Sequence, residues 1–146
     1  MSEQFVPEQL TSEQLMKDYY TAYNSEDSQA LRAFYHDDVL MVSAQGESVG
    51  ADAIIDTYQH LIDLFHDQMT PVNIDICHTE DGNESGKNGD GDFIAQVDIV
   101  DCFTAKKPVD DFMGQTLTEG ESFELRLRGT YEVVNARFKK ITIVMQ

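Results

Sequence analysis

Apolar residues near the start of the chain recur at spacings of three and four: Leu15, Met16, Tyr19, Tyr20 and Tyr23. That period predicts an amphipathic helix. Thr11 can cap the amide of Gln14, Gln14 can reach back, and Leu10 and Leu15 stand at staple positions. The helix is therefore expected to begin at Thr11, after an arm of residues 1–10. Asn24-Ser25-Glu26-Asp27 breaks it, and Asp27 or Ser28 can cap a shorter helix carrying Leu31, Phe34 and Tyr35. His36-Asp37-Asp38 ends that helix, and Val39-Leu40-Met41-Val42 reads as a strand. Gly46 and Gly50 mark a turn and the start of a third helix, expected over 51–69. Its apolar stripe is Ile54, Tyr58, Leu61, Phe65 and Met69. His60, Asp63, His66 and Asp67 lie opposite, and Pro71 stops it.

The second half changes period. Residues 72–79 and 92–104 alternate, the latter with Phe93, Ala95, Val97, Ile99 and Phe103 on one face. Residues 122–134 put Phe123, Leu125, Leu127, Tyr131 and Val133 on one face and Glu124, Arg126, Arg128, Thr130 and Glu132 on the other. A last strand spans 139–146. Helices followed by antiparallel strands predict an α+β fold. No repeat or linker divides the chain, so one domain over 1–146 is expected. The longest irregular pieces are 80–91 and 105–120.

Composition narrows the partners. The formal net charge of the 146 residues is −17. Such a surface repels phosphate backbones and anionic membranes, so neither nucleic acid nor a membrane is an expected partner. The first ten residues carry Glu3 and Glu8 and no apolar run, so no secretory signal is expected. Cys77 and Cys102 fall in separate strands. A hairpin centred near Gly86 would set Cys77 opposite Ala95, leaving two buried thiols rather than a disulfide. A reducing, cytoplasmic location follows as the expectation.

The order of elements is now specific enough to compare. A Tyr-striped helix ending in Asn24-Ser25-Glu26-Asp27 precedes Ala30-Leu31-Arg32-Ala33-Phe34, Asp37-Asp38-Val39 and Gly50-Ala51-Asp52-Ala53-Ile54. Thr118-Glu119-Gly120-Glu121-Ser122-Phe123 opens a late strand. Over about Thr11 to Val144 this resembles the nuclear transport factor 2-like superfamily, and most of all its SnoaL-like branch. The resemblance implies a cone: a curved antiparallel sheet wrapped around helices, of the cystatin-like kind, with a pocket inside. It also implies a homodimer, here through the Glu124, Arg126, Arg128 and Glu132 face.

The resemblance offers two catalytic templates. In ketosteroid isomerases of this fold a first-helix Tyr stabilises an enolate, and Tyr19 matches it. The base and second donor are Asp residues, where this chain has Ser43 and, nearby, Gly129. Dehydratase-like members use an Asp and a His, where this chain has Asn24 and about Met69. Both templates lack their proton-transferring groups here.

The remaining candidates come from the residues themselves. Asp101 interrupts an apolar face between Ile99 and Phe103. Facing a pocket, its carboxyl would have a raised pKa and act as a general base. A bulge turning it outward is the expected alternative, and the one favoured. His78 shares a face with Ile74 and Ile76 and is the other proton-transfer candidate, with an inert rim position favoured. Catalytic candidates are thus Asp101, His78 and Tyr19. Candidate pocket residues are Tyr23, Tyr58, Phe65, Phe103, Phe112 and Tyr131, suited to a small, partly apolar molecule. No metal and no cofactor is expected. Asp81 to Asp92 has the oxygen spacing of a calcium loop, but its flanks read as strands and a solvated hairpin loop is expected. Phe112 and Met113 stand in a polar connection, as a rim over the pocket or a dimer contact. The sequence supports two functions: a pocket domain that binds a small molecule and catalyses an isomerisation, cyclisation or dehydration, or a non-catalytic homodimeric domain.

Overall fold

The computed structural model describes residues 8–44, 46–78, 92–112 and 114–146. Three helices come first in large part: α1 (Glu8–Asn24), α2 (Ser28–Arg32) and α3 (Ala51–Leu64). The strands are β1 (Tyr35–Ser43), β2 (Gly46–Val49), β3 (Phe65–His78), β4 (Phe93–Ala105), β5 (Val109–Phe112), β6 (Gln115–Leu117), β7 (Ser122–Val134) and β8 (Arg137–Met145). Six of them form one sheet in the order β2-β1-β8-β7-β4-β3, and β5-β6 forms a separate hairpin. All pairs are antiparallel except β1 with β8. That parallel pair arises because the last strand of the chain returns beside the first.

Strand alternation sets the core. Phe93, Ala95, Val97, Ile99 and Phe103 of β4 are buried, as are Leu127, Tyr131 and Val133 of β7. All of these but Phe103 pack against the buried stripe Met16, Tyr19, Tyr20 and Tyr23 of α1 and Ile54, Tyr58 and Ile62 of α3. The tyrosine hydroxyls pair among themselves: Tyr20 donates to Tyr131 at 2.9 Å, and those of Tyr19 and Tyr35 meet at 3.2 Å. A second cluster, Phe65, Phe103, Ala105, Val109 and Leu117, sits under the β5–β6 hairpin.

Several boundaries differ from the sequence expectation. Helix α1 begins at Glu8, so Thr11 lies inside it rather than capping it. Asp27 does cap α2, accepting from the amides of Gln29 and Ala30 at 3.0 and 3.2 Å. Phe34 lies in the turn after α2, and Tyr35 opens β1. Helix α3 stops at Leu64, five residues before Met69. The Lys106 ammonium donates to the Ile62 carbonyl at 2.6 Å and its amide to Leu64 O at 2.7 Å, which satisfies carbonyls at that helix end. Phe65 to Pro71 is therefore edge strand. Pro71 sits beside a register shift in β3 rather than stopping a helix, a position where its missing N–H is tolerated.

The cysteines also move. Cys77 stands opposite Ile94, one residue from the expected Ala95, and Cys102 opposite Gln68. Neither is in a disulfide. Cys77 is exposed and Cys102 half-buried, not the buried pair expected. The candidate calcium loop, Asp81 to Asp92, falls almost wholly outside the described residues. No helix among the described residues is long and apolar enough to cross a membrane.

Candidate functional site

The register of β3 and β4 builds the site. Phe65, Asp67 and Met69 of β3 stand opposite Ala105, Phe103 and Asp101 of β4. Asp67 and Asp101 are therefore diagonal neighbours on the inner face, close enough for side chains to meet. The only register shift in this pair lies between Pro71 and Asn73 on β3, so β4 keeps its alternation through Asp101. The expected bulge that would turn Asp101 outward is absent from β4. Asp101 is 2% exposed and Asp67 0%.

The two carboxyls share a hydrogen bond in which Asp101 is the donor. The Tyr23 hydroxyl donates to Asp67 Oδ2 at 2.6 Å. Burial is the largest cause raising Asp101, and the hydrogen bond to Asp67 and that neighbour's charge push it further, to about 10. Burial also raises Asp67, against the two hydrogen bonds it accepts, which favour its charged form. At neutral pH the pair thus holds a shared proton, carried by Asp101. Tyr23 stays a neutral donor, because burial and the nearby carboxyls raise its hydroxyl well above the usual range. One oxygen of each carboxyl, Asp67 Oδ1 and Asp101 Oδ1, is buried without a hydrogen-bond partner. Both atoms are shielded from solvent and from the cavity, and the proton shared between the carboxyls accounts for them.

Asp101 lies on the wall of a cavity of about 410 Å³, within the range of small-molecule sites. Its aromatic walls are Tyr23, Tyr35, Tyr58, Phe103 and Phe112. Leu127 and Ile143 of the sheet face Ile54 and Leu61 of α3 across it, and Glu47 of β2 stands at its exposed side. The Tyr58 hydroxyl donates to the Tyr23 carbonyl at 2.6 Å and the two rings meet edge to face at 5.0 Å, which fixes both walls. Phe112 packs on Phe65 and Phe103 at 4.8 and 5.7 Å, so the 105–120 connection contributes a wall of the cavity.

Four of the six candidate pocket residues, Tyr23, Tyr58, Phe103 and Phe112, line this space. Phe65 and Tyr131 do not; both are core residues, the first in the aromatic cluster and the second over Gly129. Tyr19 does not line the cavity; it is buried behind the wall residue Tyr35, where the Asp67 and Asp101 carboxyls act on its hydroxyl electrostatically. His78 ends β3, and its side chain lies outside the described residues. His66 is not on the polar face of α3 but at the head of β3, with its half-exposed ring 2.9 Å from Glu26 on the other side of the strand from Asp67. Asn24 is occupied structurally, clamping Met69 by donating to its carbonyl and accepting from its amide. Ser43 lines the cavity. Sequence reasoning missed Asp67 and Tyr35. A two-residue period starting at Phe65 was the available signal for Asp67.

Among the described residues no group of three or more His, Cys, Asp or Glu side chains is placed to hold a metal ion. The arrangement can bind a small, partly apolar molecule and exchange one proton with it.

A cone of curved sheet closed by three helices over a cavity defines the nuclear transport factor 2-like, ketosteroid isomerase-like class of fold. Within that class the chain belongs to the SnoaL-like domain family, whose profile matches residues 16–140. No curated protein sequence matches it. Among solved structures it is similar to a candidate polyketide cyclase from Xanthomonas campestris pv. campestris, at TM-score 0.67 and 18% identity over 96% of this chain and 93% of that one. It is similar to a protein of ketosteroid isomerase-like fold from Catenulispora acidiphila, solved with trimethylamine, at TM-score 0.64 and 11% identity over 88% and 82%. An LEH-like epoxide hydrolase from M. tuberculosis matches at TM-score 0.63 and 11% identity over 91% and 80%. At such identities the likeness establishes the fold.

Proposed function

We propose that this SnoaL-like domain binds a small, partly apolar molecule in its cavity and that Asp101 exchanges a proton with it, in an isomerisation, cyclisation or dehydration. The observation that carries this reading is the buried Asp101 carboxyl on the cavity wall, backed by Asp67. A ligand proton passes to the cavity-facing oxygen of Asp101 while the proton shared with Asp67 shifts onto Asp67. The pair goes from one negative charge to none, and the reverse shift returns a proton at a second position. Burial raises the basicity of the pair toward neutral pH, where such a relay is most effective. The polyketide-cyclase and epoxide-hydrolase descriptions of similar folds agree with proton-transfer chemistry on small oxygenated substrates.

Two measurements test it. In a thermal-shift screen of small aromatic and polyketide-like compounds, ligands should raise the melting temperature with the logarithm of their excess. The shift should vanish in Ile143→Trp, which fills the cavity. Deuterium uptake from heavy water beside the carbonyl of an aryl ketone such as 2-tetralone reads proton transfer. The wild type should accelerate it, and Asp101→Asn should lose about 100-fold or more of that acceleration. Binding without acceleration of any ligand that binds would make the domain a non-catalytic receptor.

The outer sheet face supports a homodimer as part of this reading. Its exposed charged row on β7, Glu124, Arg126 and Arg128, adjoins Val144, which is 49% exposed and stands opposite Arg128. Two such rows related by a two-fold axis set acids against arginines. Light scattering at micromolar concentration should give twice the chain mass, and Arg126→Glu should halve it. A monomeric wild type refutes the dimer.

A further inference from the structure

The walls of the cavity carry charge of one sign. Asp101 and Glu47 line it, Asp67 stands directly behind, and no Lys, Arg or His is among the described residues that line it. The two hydrogen bonds that Asp67 accepts favour its charged form, and no cation among the described residues that line the cavity compensates it. The Tyr23 hydroxyl hydrogen-bonds Asp67 but does not neutralise it. In an apolar space an uncompensated charge is costly, and a ligand of opposite sign relieves that cost. Asp101 is 2% exposed and lines the cavity. With the shared proton directed at Asp67, the oxygen that Asp101 turns to the cavity matches an N–H donor better than it matches another acceptor.

The rest of the wall suits a cation as well. Tyr23, Tyr58, Phe103 and Phe112 present aromatic rings to the same space, and the faces of such rings attract positive charge. The chain as a whole carries −17, which draws cations and repels anions at long range.

We infer that the cavity selects a ligand carrying a protonated amine on an apolar or aromatic body, and refuses ligands carrying a carboxylate. This deepens the proposed function and rests on the cavity being a ligand site. The carboxylate is refused because it would face the acidic pair across an apolar space, where like charges cost several-fold more than in water.

Three probes of one size separate the possibilities: N,N-dimethylbenzylamine (protonated at neutral pH), phenylacetamide and phenylacetate. They share the benzyl body and differ in charge. Calorimetric titration of the wild type should rank the cation about tenfold or more tighter than the amide, with no measurable binding of the anion. The preference should weaken as salt rises from 20 to 300 mM (about these values, spanning the screening range). Glu47→Gln, at the exposed side of the cavity, should reduce it, and Asp67→Asn, which removes the charged partner behind Asp101, should reduce it further. If the amide binds as tightly as the amine, or phenylacetate binds at all tightly, the charge selection is wrong while the cavity remains a ligand site. If none of the three binds and none shifts the melting temperature, the ligand-site reading fails and the amine inference with it.

Discussion

Between pH 5 and pH 8 the wild-type domain should lose stability as pH rises, and Asp101→Asn should remove most of that loss. The sign follows from the direction of the shift. The Asp101 carboxyl rises from its ordinary 3.8 to about 10 in the fold. Between those values the folded chain holds a proton that the unfolded chain has released. Unfolding then releases a proton, so higher pH favours it, with a slope of about 1.4 kcal/mol per pH unit. The stabilisation is fully present below the unfolded pKa and is lost as pH climbs toward the folded one. Over three pH units that reaches about 4 kcal/mol as an upper bound, several degrees in the melting temperature of a domain this size. Asparagine keeps the shape and can donate its amide to Asp67, but has no proton to lose. Its stability curve should be nearly flat across the window and should cross the wild-type curve, lying above it at pH 8. The general repulsion of an acidic chain acts on both proteins, so the difference between the curves isolates the pair. Parallel curves would mean that the two carboxyls do not share a proton.

That pair shows where sequence reading succeeds and where it stops. The three helices and four long strands were legible because their apolar periods differ over long runs, and the cone followed from the resemblance that their order carries. Asp101 was visible as a polar interruption of a strict two-residue alternation. Asp67 was not, and the reason is a coincidence of spacing. Leu61, Phe65 and Met69 are four apart, and four residues is both about one helical turn and two strand periods. Read as helix, the run puts Asp67 on the solvent side. Once the chain leaves the helix at Leu64, Asp67 falls between Phe65 and Met69 on the same inner face. One boundary error of five residues thus hid half of the candidate site and misassigned His66. The aromatic residues illustrate a different limit. Their number is plain in the sequence, yet only contact between elements far apart along the chain decides which are core, like Tyr19, and which are wall, like Tyr58.

The ketosteroid isomerase template fails at Gly129 for a reason the sequence could not supply, and this gives the second large effect. Gly129→Ala should destabilise the domain by about 1–3 kcal/mol, the range for overfilling a packed core. A Cβ at position 129 would stand 2.7 Å from Tyr131 Cε1 and 2.9 Å from its hydroxyl oxygen, closer than such contacts allow. The ring two residues along the same strand lies over the glycine, and it has nowhere to go. Tyr131 is 1% exposed, its hydroxyl accepts from Tyr20, and its ring packs on Phe138 at 5.0 Å. Moving it would break the Tyr20 hydrogen bond and open space beside Tyr19, whose ring is 5.7 Å away. Glycine here serves close packing on an inner strand face; its backbone needs no left-handed angle. Gly129→Asp, which would restore the template's second acid, should cost more than alanine, because it adds a buried carboxyl to the same clash. Tyr131→Phe should separate the two contributions in chemical denaturation. It removes the hydroxyl and with it one of the three close contacts, so Gly129→Ala should cost less when combined with Tyr131→Phe than in the wild type. An equal cost in both backgrounds would place the clash on the ring alone. No measurable cost in either would mean that Tyr131 does not lie over Gly129.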